Sequence, residues 1–427
     1  MGVDDSGTGL LVANVRVFDG IGGEAVPGYV RVERDRIAEV VADRPLPGSV
    51  PRGTTVLDGG GGTLIPGLTD AHVHLFATGS TMAELELAPT GTVYYQALAA
   101  ARDMLMRGFT TVRDMAGDTA PLRGVLDSGL FAGPRIYPSQ AAISQTAGHG
   151  DFGAVHDAPT ALGGPPARSE RIGFTRVADG PDRVLAAVRE QLRKGATQIK
   201  LMAGGGVVSA YDPLDVLQFT PAELEAAVAA ASDWGTYVAV HAYTSQGVRR
   251  AVEAGVRCIE HGHLVDEDTI RHLAEKDVWL SSQPFEVDDH HYASPDSDRK
   301  NREVCEGAAR TFGWAVEHGV RLAFGTDLVL APGKAHRQNE MLVRLGALIG
   351  PVEALRTATS GNAELFRLSG LRDPYRAAPL GVVAPGAWAD LLVVDGDPTT
   401  DLSVLADPGR NLRLIVKDGV VHKNELG

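Results

Sequence analysis

The chain has 427 residues, of which 44% are hydrophobic and 22% are charged, as in a globular protein with two or three domains or one large α/β barrel. A formal net charge of −14 argues against a nucleic-acid partner, because no basic stripe is present to meet phosphates. No apolar run approaches the roughly 18 residues of a membrane helix, so we expect no membrane association. The two cysteines are too few for a disulfide framework and no secretory signal is visible, which favours a cytoplasmic location.

Short apolar strands occupy both ends of the chain, with Gly, Pro and Asp clusters between them. They lie within residues 10–18, 28–33, 36–41, 390–395 and 412–422. Each terminal block is too small to bury a two-faced core alone. We therefore predict that residues 1–65 and 371–427 form one small composite β-sandwich domain, in which the chain ends meet.

Between these blocks, helical periodicity alternates with short apolar strands. The predicted helices cover residues 93–107, 183–194, 221–234, 244–254 and 266–276. The predicted strands cover residues 110–113, 198–202, 237–241, 258–261, 279–282 and 322–327. Thr220-Pro-Ala-Glu223 has the pattern of a capping box that opens a helix. Alternation of this kind indicates a parallel sheet, and the chain length predicts an α/β fold with a closed (β/α)8 TIM barrel over residues 66–370.

Two histidines one residue apart, His72 and His74, stand in the run Asp70-Ala-His-Val-His. Side chains at positions i and i+2 of a strand share one face, so both imidazoles can reach one metal ion. The alternative is a pair of histidines on a solvated strand.

Four further residues stand at the predicted C-terminal ends of strands, where barrel enzymes place their chemistry. They are Lys200, His241, His261 and Asp327. Each alone has a common structural explanation, such as a snorkelling lysine, a core histidine or a helix-capping carboxylate. Together, at the same end of several strands, they predict a metal site.

This pattern resembles the amidohydrolase superfamily in its binuclear form with a carbamylated lysine. The resemblance rests on Asp70-Ala-His-Val-His74, on the strand lysine, on the two strand-end histidines and on Gly325-Thr-Asp327, and it covers essentially the whole chain. It implies two divalent metal ions, zinc being expected, and a CO2-derived carbamate on Lys200 between them. The implied ligands are His72, His74 and Asp327 for the first ion, and His241 and His261 for the second.

The resemblance implies hydrolysis of an amide-like bond. Two neighbouring metal ions lower the pKa of a bridging water to give hydroxide, and one ion can polarise the substrate carbonyl. Asp327 would take the proton from the attacking hydroxide and deliver it to the leaving amine. A protonated Lys200 would be repelled by two dications, whereas a carbamate supplies an anionic oxygen to each.

Three further stretches resemble the branch that contains Xaa-Pro dipeptidases, carboxypeptidases acting on N-acyl amino acids, and imidazolonepropionase-like proteins. They are the loop around His149, the glycine-rich turn after Lys200, and the Tyr243 that follows His241 by two residues. The resemblance implies that His149 aids carbonyl polarisation and that Tyr243 lies near a terminal carboxylate of the substrate.

The glycine-rich turn includes Gly205, Gly206 and Val207. Its backbone N–H groups could bind an anionic end of the substrate, and the alternative is a tight turn without such a role.

A long polar segment, residues 285–292, follows the predicted seventh strand, as a lid or specificity loop would. Within it, His290 and His291 are candidate substrate contacts, and solvated loop histidines are the alternative. His336 and Asn339 follow the last predicted strand and are further candidates for lining the pocket.

We predict a metal-dependent hydrolase that cleaves an amide bond in a small-molecule substrate, either a dipeptide or an N-acyl amino acid. The same machinery acting on a nonpeptide amide, carbamate or urea, or opening a cyclic amide, is the alternative. A deaminase and a noncatalytic scaffold are rivals, against which Lys200 and the presence of all the ligands argue. Lys300 and Arg302 are the nearest candidates for binding a substrate carboxylate. The resemblance also implies a homo-oligomer.

Overall fold

The structure is a computed structural model that describes residues 9–43, 50–209, 211–289, 292, 294–330 and 332–426. The strands in these ranges are β1 (Gly9–Val17), β2 (Val26–Glu33), β3 (Arg36–Ala42), β4 (Thr54–Asp58), β5 (Thr63–Pro66), β6 (Leu68–Val73), β7 (Phe109–Asp114), β8 (Arg135–Pro138), β9 (Ala142–Ser144), β10 (Thr175–Val177), β11 (Ile199–Met202), β12 (Val238–Thr244), β13 (Cys258–Leu264), β14 (Trp279–Ser281), β15 (Leu391–Val394), β16 (Leu412–Lys417) and β17 (Val420–Asn424).

The α-helices in the same ranges are α1 (Leu75–Thr78), α2 (Met82–Leu87), α3 (Thr90–Met106), α4 (Ala120–Asp127), α5 (Arg168–Arg171), α6 (Pro181–Arg193), α7 (Pro221–Asp233), α8 (Ser245–Glu253), α9 (Glu267–Glu275), α10 (Pro295–Glu317), α11 (Gln338–Ile349), α12 (Pro351–Arg356), α13 (Asn362–Phe366) and α14 (Pro408–Asn411). Within the described ranges, no helix has both the length and the apolar character needed to cross a membrane.

Strands from both chain ends share one sheet. Its order is β17-β16-β15-β5-β1-β2-β3, and β4 pairs with β1. The link between the ends is the antiparallel pairing of β5 with β15, in which Thr63 is opposite Val394 and Pro66 is opposite Leu391. The sandwich form and the domain limits at residues 65 and 371 stay predictions.

The central part of the chain forms parallel strands. β6, β7 and β8 make one sheet, and β10-β9-β11-β12-β13-β14 make another. Two isolated bridges connect these sheets through the segment that follows α10: Leu322 pairs with Leu280 of β14, and Leu328 pairs with Val73 of β6. The sheets also approach each other at β8, where the N–H of Thr197 donates to the carbonyl of Pro138 at 2.8 Å. These pairings are the ones that the predicted barrel needs, and its closure over residues 66–370 stays a prediction.

The main hydrophobic core lies between the second parallel sheet and the helices that follow its strands. Val240, Ile259 and Leu280 on the strands and Leu224 and Val248 on the helices are fully buried in it. Burying one such side chain stabilises the fold by about 1.5–3 kcal/mol. A packed core of this kind holds the C-terminal strand ends, and therefore the side chains on them, in fixed positions.

The strongly periodic helices are found within three residues of their predicted bounds, as α3, α6, α7, α8 and α9. Helix α7 opens as predicted, because the N–H of Thr220 donates to Glu223 Oε2 at 2.7 Å. The long helix α10 was not predicted, since it begins in a run of charged residues. Both cysteines, Cys258 and Cys305, are free thiols.

The predicted strand over residues 322–327 is not a continuous strand, and only isolated bridges at Leu322 and Leu328 pair it. Its approach to β6 is very close, since a Cβ on Gly325 would lie 2.5 Å from the Cβ of His72. The backbone then leaves the extended conformation at Asp327, where φ is 53°. At this turn the Asp327 side chain reaches the end of β6, where it meets His72 and His74.

Candidate metal centre and active site

Three of the predicted ligands converge where β6 ends. Asp327 Oδ1 lies 2.9 Å from His74 Nε2 and 3.3 Å from His72 Nε2, and the two Nε2 atoms are 3.2 Å apart. The His72 side chain is fully buried and the Asp327 side chain is 17% exposed. The i, i+2 spacing therefore brings both rings to one carboxylate.

His241 and His261 extend this group from β12 and β13. Their ring centroids are 4.4 Å apart, and the ring of His261 lies 5.2 Å from that of His72. His72, His261 and Asp327 offer donor atoms that all lie within 4.8 Å of one another. The predicted ligands thus form one continuous cluster, and their division between two ions stays a prediction.

In three of these imidazoles, one ring nitrogen is already engaged by the protein. The pairs are His72 Nδ1 with Glu260 Oε2 at 2.8 Å, His261 Nδ1 with Gln283 Oε1 at 2.7 Å, and His241 Nε2 with the carbonyl oxygen of Gly205 at 3.0 Å. Hydrogen bonds of this kind fix the ring orientation and the tautomer. In His72 the other ring nitrogen, Nε2, is the one that points to His74 and Asp327.

Burial sets the protonation of the cluster. It lowers the pKa of His72 to about 4, with the Lys200 charge adding to the effect, and it holds the pKa of His241 and His261 well below 6.5. Burial opposes the ionised form of Asp327. The electrostatic interaction with His72 and a hydrogen bond from His74 nevertheless hold the pKa of Asp327 well below the ordinary value. Neutral imidazoles and an ionised carboxylate are the forms that bind divalent metals.

Lys200 lies on β11 and is 1% exposed. Burial lowers the pKa of its ammonium, against the opposing effect of Glu260 and Asp327. A lowered pKa increases the fraction of neutral amine, which is the form that reacts with CO2. The donor set of imidazoles, carboxylate and desolvated lysine fits a divalent ion of the zinc type.

Two of the predicted ligands have strained backbone. His261 has φ of 78° and Asp327 has φ of 53°, both in the left-handed region. Each such residue costs on the order of 1–3 kcal/mol, and strain of this kind clusters at functional sites.

A buried ion pair that the sequence patterns did not predict contacts the cluster through His72. Glu260 Oε1 accepts from Arg113 at 2.7 Å, and Arg113 also donates to the Tyr237 hydroxyl at 3.1 Å. Burial opposes the ionised form of Glu260, but Arg113 and His72 hold its pKa well below the ordinary value. The available signal was a charged residue inside each of two apolar strands, at Arg113 and at Glu260.

His149 stacks on His241 with ring centroids 4.2 Å apart, and its Nδ1 lies 2.7 Å from Ser209 Oγ. Gly206 makes room for this ring, because a Cβ there would lie 1.9 Å from it. The N–H of Gly206 already donates to Asp212 Oδ2 at 2.9 Å. The structure therefore gives Gly206 a packing role beside His149.

The neighbouring Gly205 is also engaged within the turn. Its N–H donates to the carbonyl of Val216 at 3.2 Å, while its carbonyl accepts from His241. Val207 and Tyr243, in contrast, face the cavity described next.

A cavity of about 370 Å³ opens over the cluster. Every predicted ligand except His72 lines it, together with His149, Val207 and Tyr243. The cavity thus brings the predicted metal ligands and three predicted substrate contacts to one space. It is large enough for a small amide.

The predicted basic candidates are engaged elsewhere. Lys300 is buried, and its Nζ donates to the carbonyl of Asp212 at 3.1 Å and pairs with Asp296 at 3.0 Å. Arg302 pairs with Asp298 on the exposed face of α10. Neither residue lines the cavity.

His336 is exposed and Asn339 is buried, and neither is among the residues that line the cavity. The Nδ2 of Asn339 instead donates to the carbonyl of Arg107 at 3.1 Å. His290 and His291 lie outside the described residues, so their predicted contacts stay predictions.

Lys334 lines the cavity and was not predicted. It lies in the 3-10 helix Pro332–Arg337, and its Nζ donates to the carbonyl of Asp289. The Asp289 carboxylate is buried and pairs with Arg337 at 2.8 Å and Arg344 at 2.6 Å. These contacts join the loop after β14 to the segment that follows Asp327.

The fold and the cluster define a hydrolase of the amidohydrolase type. The chain belongs to the amidohydrolase family, whose model matches residues 63–421. It is 31% identical over 363 residues to ochratoxinase of Aspergillus niger, and this match covers 81% of this chain and 72% of that protein. It is 28% identical over 391 residues to imidazolonepropionase of Anaeromyxobacter sp. (strain K), and this match covers 86% of this chain and 84% of that protein.

Among solved structures, a prolidase complexed with N-methylphosphonate-L-proline is similar with a TM-score of 0.89 and 35% sequence identity. The match covers 98% of this chain and 100% of that chain. These comparisons confirm the predicted family and the predicted class, a hydrolase acting on C–N bonds.

Proposed function

We propose that this chain hydrolyses the amide bond of a dipeptide or an N-acyl amino acid with the help of two divalent metal ions, zinc being the expected metal. The observation that carries the proposal is the cluster at the cavity floor, where Asp327 Oδ1 lies within 3.3 Å of two imidazole nitrogens and His241, His261 and Lys200 line the same space.

In this proposal His72, His74 and Asp327 would hold one ion, His241 and His261 would hold the other, and a carbamate on Lys200 would supply an anionic ligand to both. When bound, such a pair of ions polarises a substrate carbonyl and lowers the pKa of a water molecule toward neutrality. The lowered pKa of Lys200 supports this arrangement, as does the engagement of Nδ1 of His72 and His261 by Glu260 and Gln283, which leaves metal binding to the Nε2 atoms.

Asp327 is the proposed general base and acid. Its carboxylate is ionised at neutral pH because of the surroundings that lower its pKa, so it can accept a proton at Oδ and pass it to the leaving nitrogen. Its side chain is partly exposed to the cavity, which gives it access to both the water and the substrate.

His149 and Tyr243 are the proposed substrate contacts beside the reacting carbonyl. Ser209 engages Nδ1 of His149, which leaves Nε2 to donate to the carbonyl oxygen. Tyr243 is 5% exposed, and its ring lies 5.0 Å from that of His261. Burial raises the pKa of Tyr243 well above its ordinary value, so the hydroxyl stays protonated and can donate to a substrate carboxylate.

Two structural proposals accompany this function. The bridges at Leu322 and Leu328 support a closed (β/α)8 barrel, and the β5–β15 pairing supports a composite sandwich. We also propose a homo-oligomer in solution, which light scattering coupled to size-exclusion chromatography would test.

The first experiment measures metal per chain by plasma emission and the release of free amino acids from a panel of dipeptides and N-acyl amino acids. Wild type is compared with Lys200→Ala and with Lys194→Ala, a lysine on the surface at the end of α6. We expect wild type and Lys194→Ala to bind about two ions per chain and to be active. Lys200→Ala should lose the ions and the activity. Metal binding without hydrolysis of any peptide-like amide would favour a nonpeptide amide, carbamate or urea. Failure to bind metal in the presence of CO2 and divalent ions would refute the proposal.

A further inference from the structure

The cavity over the cluster has two unlike halves. One half, here called the apolar wall, is formed by Met82, Phe152, Phe174, Met202, Val329 and Leu330. These side chains pack in one hydrophobic cluster and come from five separate parts of the chain. A wall of this kind provides dispersion contacts and no hydrogen-bond partner for a polar group.

The apolar wall begins at the reacting centre. The rings of Phe174 and His74 form a T-shaped contact with centroids 6.4 Å apart, and the ring of Phe152 lies 6.0 Å from that of Phe174. A substituent on the carbonyl side of a bound amide would therefore lie against aromatic carbon.

The opposite half carries polar groups. Tyr243 packs there with Val207, Val304 and Phe285. Asn301 and Lys334 also line the cavity, and both donate to one short segment, to the carbonyls of Val287 and Asp289. Lys334 is half-buried and is the one lysine besides Lys200 among the described residues that line the cavity. A carboxylate on the amine side of the amide finds hydrogen-bond donors here.

Negative charge is scarce in the cavity. Among the described residues that line it, Asp327 is the one carboxylate, and it is occupied by His72 and His74. In a dipeptide, the α-carbon next to the reacting carbonyl carries an ammonium group. This group would lie on the side of the apolar wall. A buried ammonium without a carboxylate or other acceptor is strongly destabilised.

We propose that the substrate is an N-acyl amino acid whose acyl group is bulky, apolar and uncharged, and that dipeptides with a free amino terminus are poor substrates. The acyl group lies on the apolar wall, and the amino acid carboxylate lies in the half lined by Tyr243 and Lys334. This inference rests on the proposed amide hydrolysis and selects between its two substrate classes.

The test compares two substrates that differ only in the α-ammonium group, 3-phenylpropanoyl-L-alanine and L-phenylalanyl-L-alanine, with the zinc-loaded full chain near pH 7. The same pair is repeated with other C-terminal amino acids, and acetyl-L-alanine is added as a small acyl substrate. We expect kcat/KM to be higher for the 3-phenylpropanoyl compound than for the dipeptide by about tenfold or more. It should also exceed that of the acetyl compound, because the acetyl group leaves the apolar wall uncovered.

A carboxylate added to the apolar wall should reduce the preference for the acyl substrate over the dipeptide. Met82 is the first residue of α2, where an acidic side chain suits the helix N-terminus, so Met82→Glu is compatible with the fold. Leu87→Glu is the matched control, because Leu87 ends the same helix, is 85% exposed and does not line the cavity. We expect Met82→Glu to lower the preference for the acyl substrate several-fold and Leu87→Glu to leave it unchanged.

The outcomes separate this inference from the proposed function. Equal or faster hydrolysis of the dipeptide would overturn the inference and leave amide hydrolysis standing. An unchanged preference in Met82→Glu, with the variant folded and loaded with metal, would also count against it. If the loaded chain hydrolyses no amide of either class, the proposed function fails and the inference fails with it.

Discussion

At the scale of single residues, Glu260 connects two buried groups of different function. One carboxylate oxygen lies 2.8 Å from His72 Nδ1 and the other accepts from Arg113 at 2.7 Å. All three side chains are fully buried. Glu260 therefore fixes the orientation of a proposed metal ligand and also balances the charge of a buried guanidinium.

Replacing Glu260 with glutamine keeps the side-chain volume and removes the charge. We expect metal affinity to fall about 10–100-fold, because His72 loses its charged acceptor. We expect the free energy of unfolding to fall by about 3–5 kcal/mol, because Arg113 is left buried without a counter-charge. Competition with a chelator measures the first effect and urea unfolding the second.

Glu275→Gln is the control for that substitution, since Glu275 is exposed at the end of α9. Wild-type metal affinity in Glu260→Gln would show that Glu260 does not position His72.

The space that Gly206 leaves for His149 gives a second test at this scale. In Gly206→Ala the added Cβ would lie 1.9 Å from the His149 imidazole, so the ring cannot keep its stacked position on His241. We expect kcat to fall about 100-fold with metal content unchanged, because His149 is a substrate contact in the proposed mechanism and holds no metal. Gly91→Ala is the matched control, as no atom lies within 4 Å of a Cβ on Gly91. A large loss of metal in Gly206→Ala would contradict the assignment.

The residue types of the cluster could be read from the sequence, whereas their partners could not. His72 and His74 are adjacent on one strand, so their spacing predicted a shared face. Glu260 meets His72 across 188 residues and Arg113 across 147 residues of sequence. A charged residue in a buried strand indicates that a partner exists, but a single sequence does not indicate which residue it is.

At the scale of secondary-structure elements, the predictable helices were those whose capping residues and apolar stripe lie within their own sequence. Helix α7 carries its capping box and its apolar stripe within its own residues, and it was found where predicted. The segment over residues 322–327 depends on contact with β6, and its turn at Asp327 has no local signal. Helix α10 begins with charged residues that pair with each other three and four positions apart, so its periodicity is weak.

The ion pairs of Asp289 join two segments that border the cavity. Burial opposes the ionised form of this carboxylate, but Arg344 and Arg337 hold its pKa below the ordinary value. In Asp289→Asn we expect the free energy of unfolding to fall by about 1.5–3 kcal/mol, because two hydrogen bonds to charged groups are weakened. Hydrogen exchange should accelerate in the loop after β14 and in the segment that contains Lys334.

The pH dependence of this difference has a defined sign. A carboxylate whose pKa is depressed by folding stabilises the native state above its unfolded pKa of about 3.9, and this stabilisation is lost as the pH falls through the folded value. The gap in unfolding free energy between wild type and Asp289→Asn should thus be largest near pH 6–7 and should narrow below about pH 4. Asp288→Asn, at the exposed neighbouring position, should show no such gap. A gap that stays constant with pH would rule out the ion pairs as its source.

At the scale of the whole molecule, buried ionic contacts connect regions that are separate in their hydrogen-bonded sheets. Arg135 on β8 pairs with Asp390 at 2.8 Å, and so joins a parallel strand to the sheet built from the chain ends. The proposed metal ligands make a second connection, since His72 belongs to the first parallel sheet and His241 and His261 belong to the second. Relative placement of the sheets and placement of the ligands are therefore coupled.

Because of this coupling, metal binding should stabilise the fold as a whole. A ligand that binds the native state alone stabilises it by RT ln(1 + [L]/Kd), which is about 4.1 kcal/mol at a thousandfold excess over Kd. We expect removal of the ions by a chelator to lower the thermal midpoint of the full chain and added zinc to restore it. In Lys200→Ala, which is expected to lose the ions, added zinc should restore little or nothing, and in Lys194→Ala the restoration should equal that of wild type. Calorimetry with and without chelator measures these shifts. The same midpoint for the loaded and stripped chains would show that the cluster does not connect the two sheets through a bound ion.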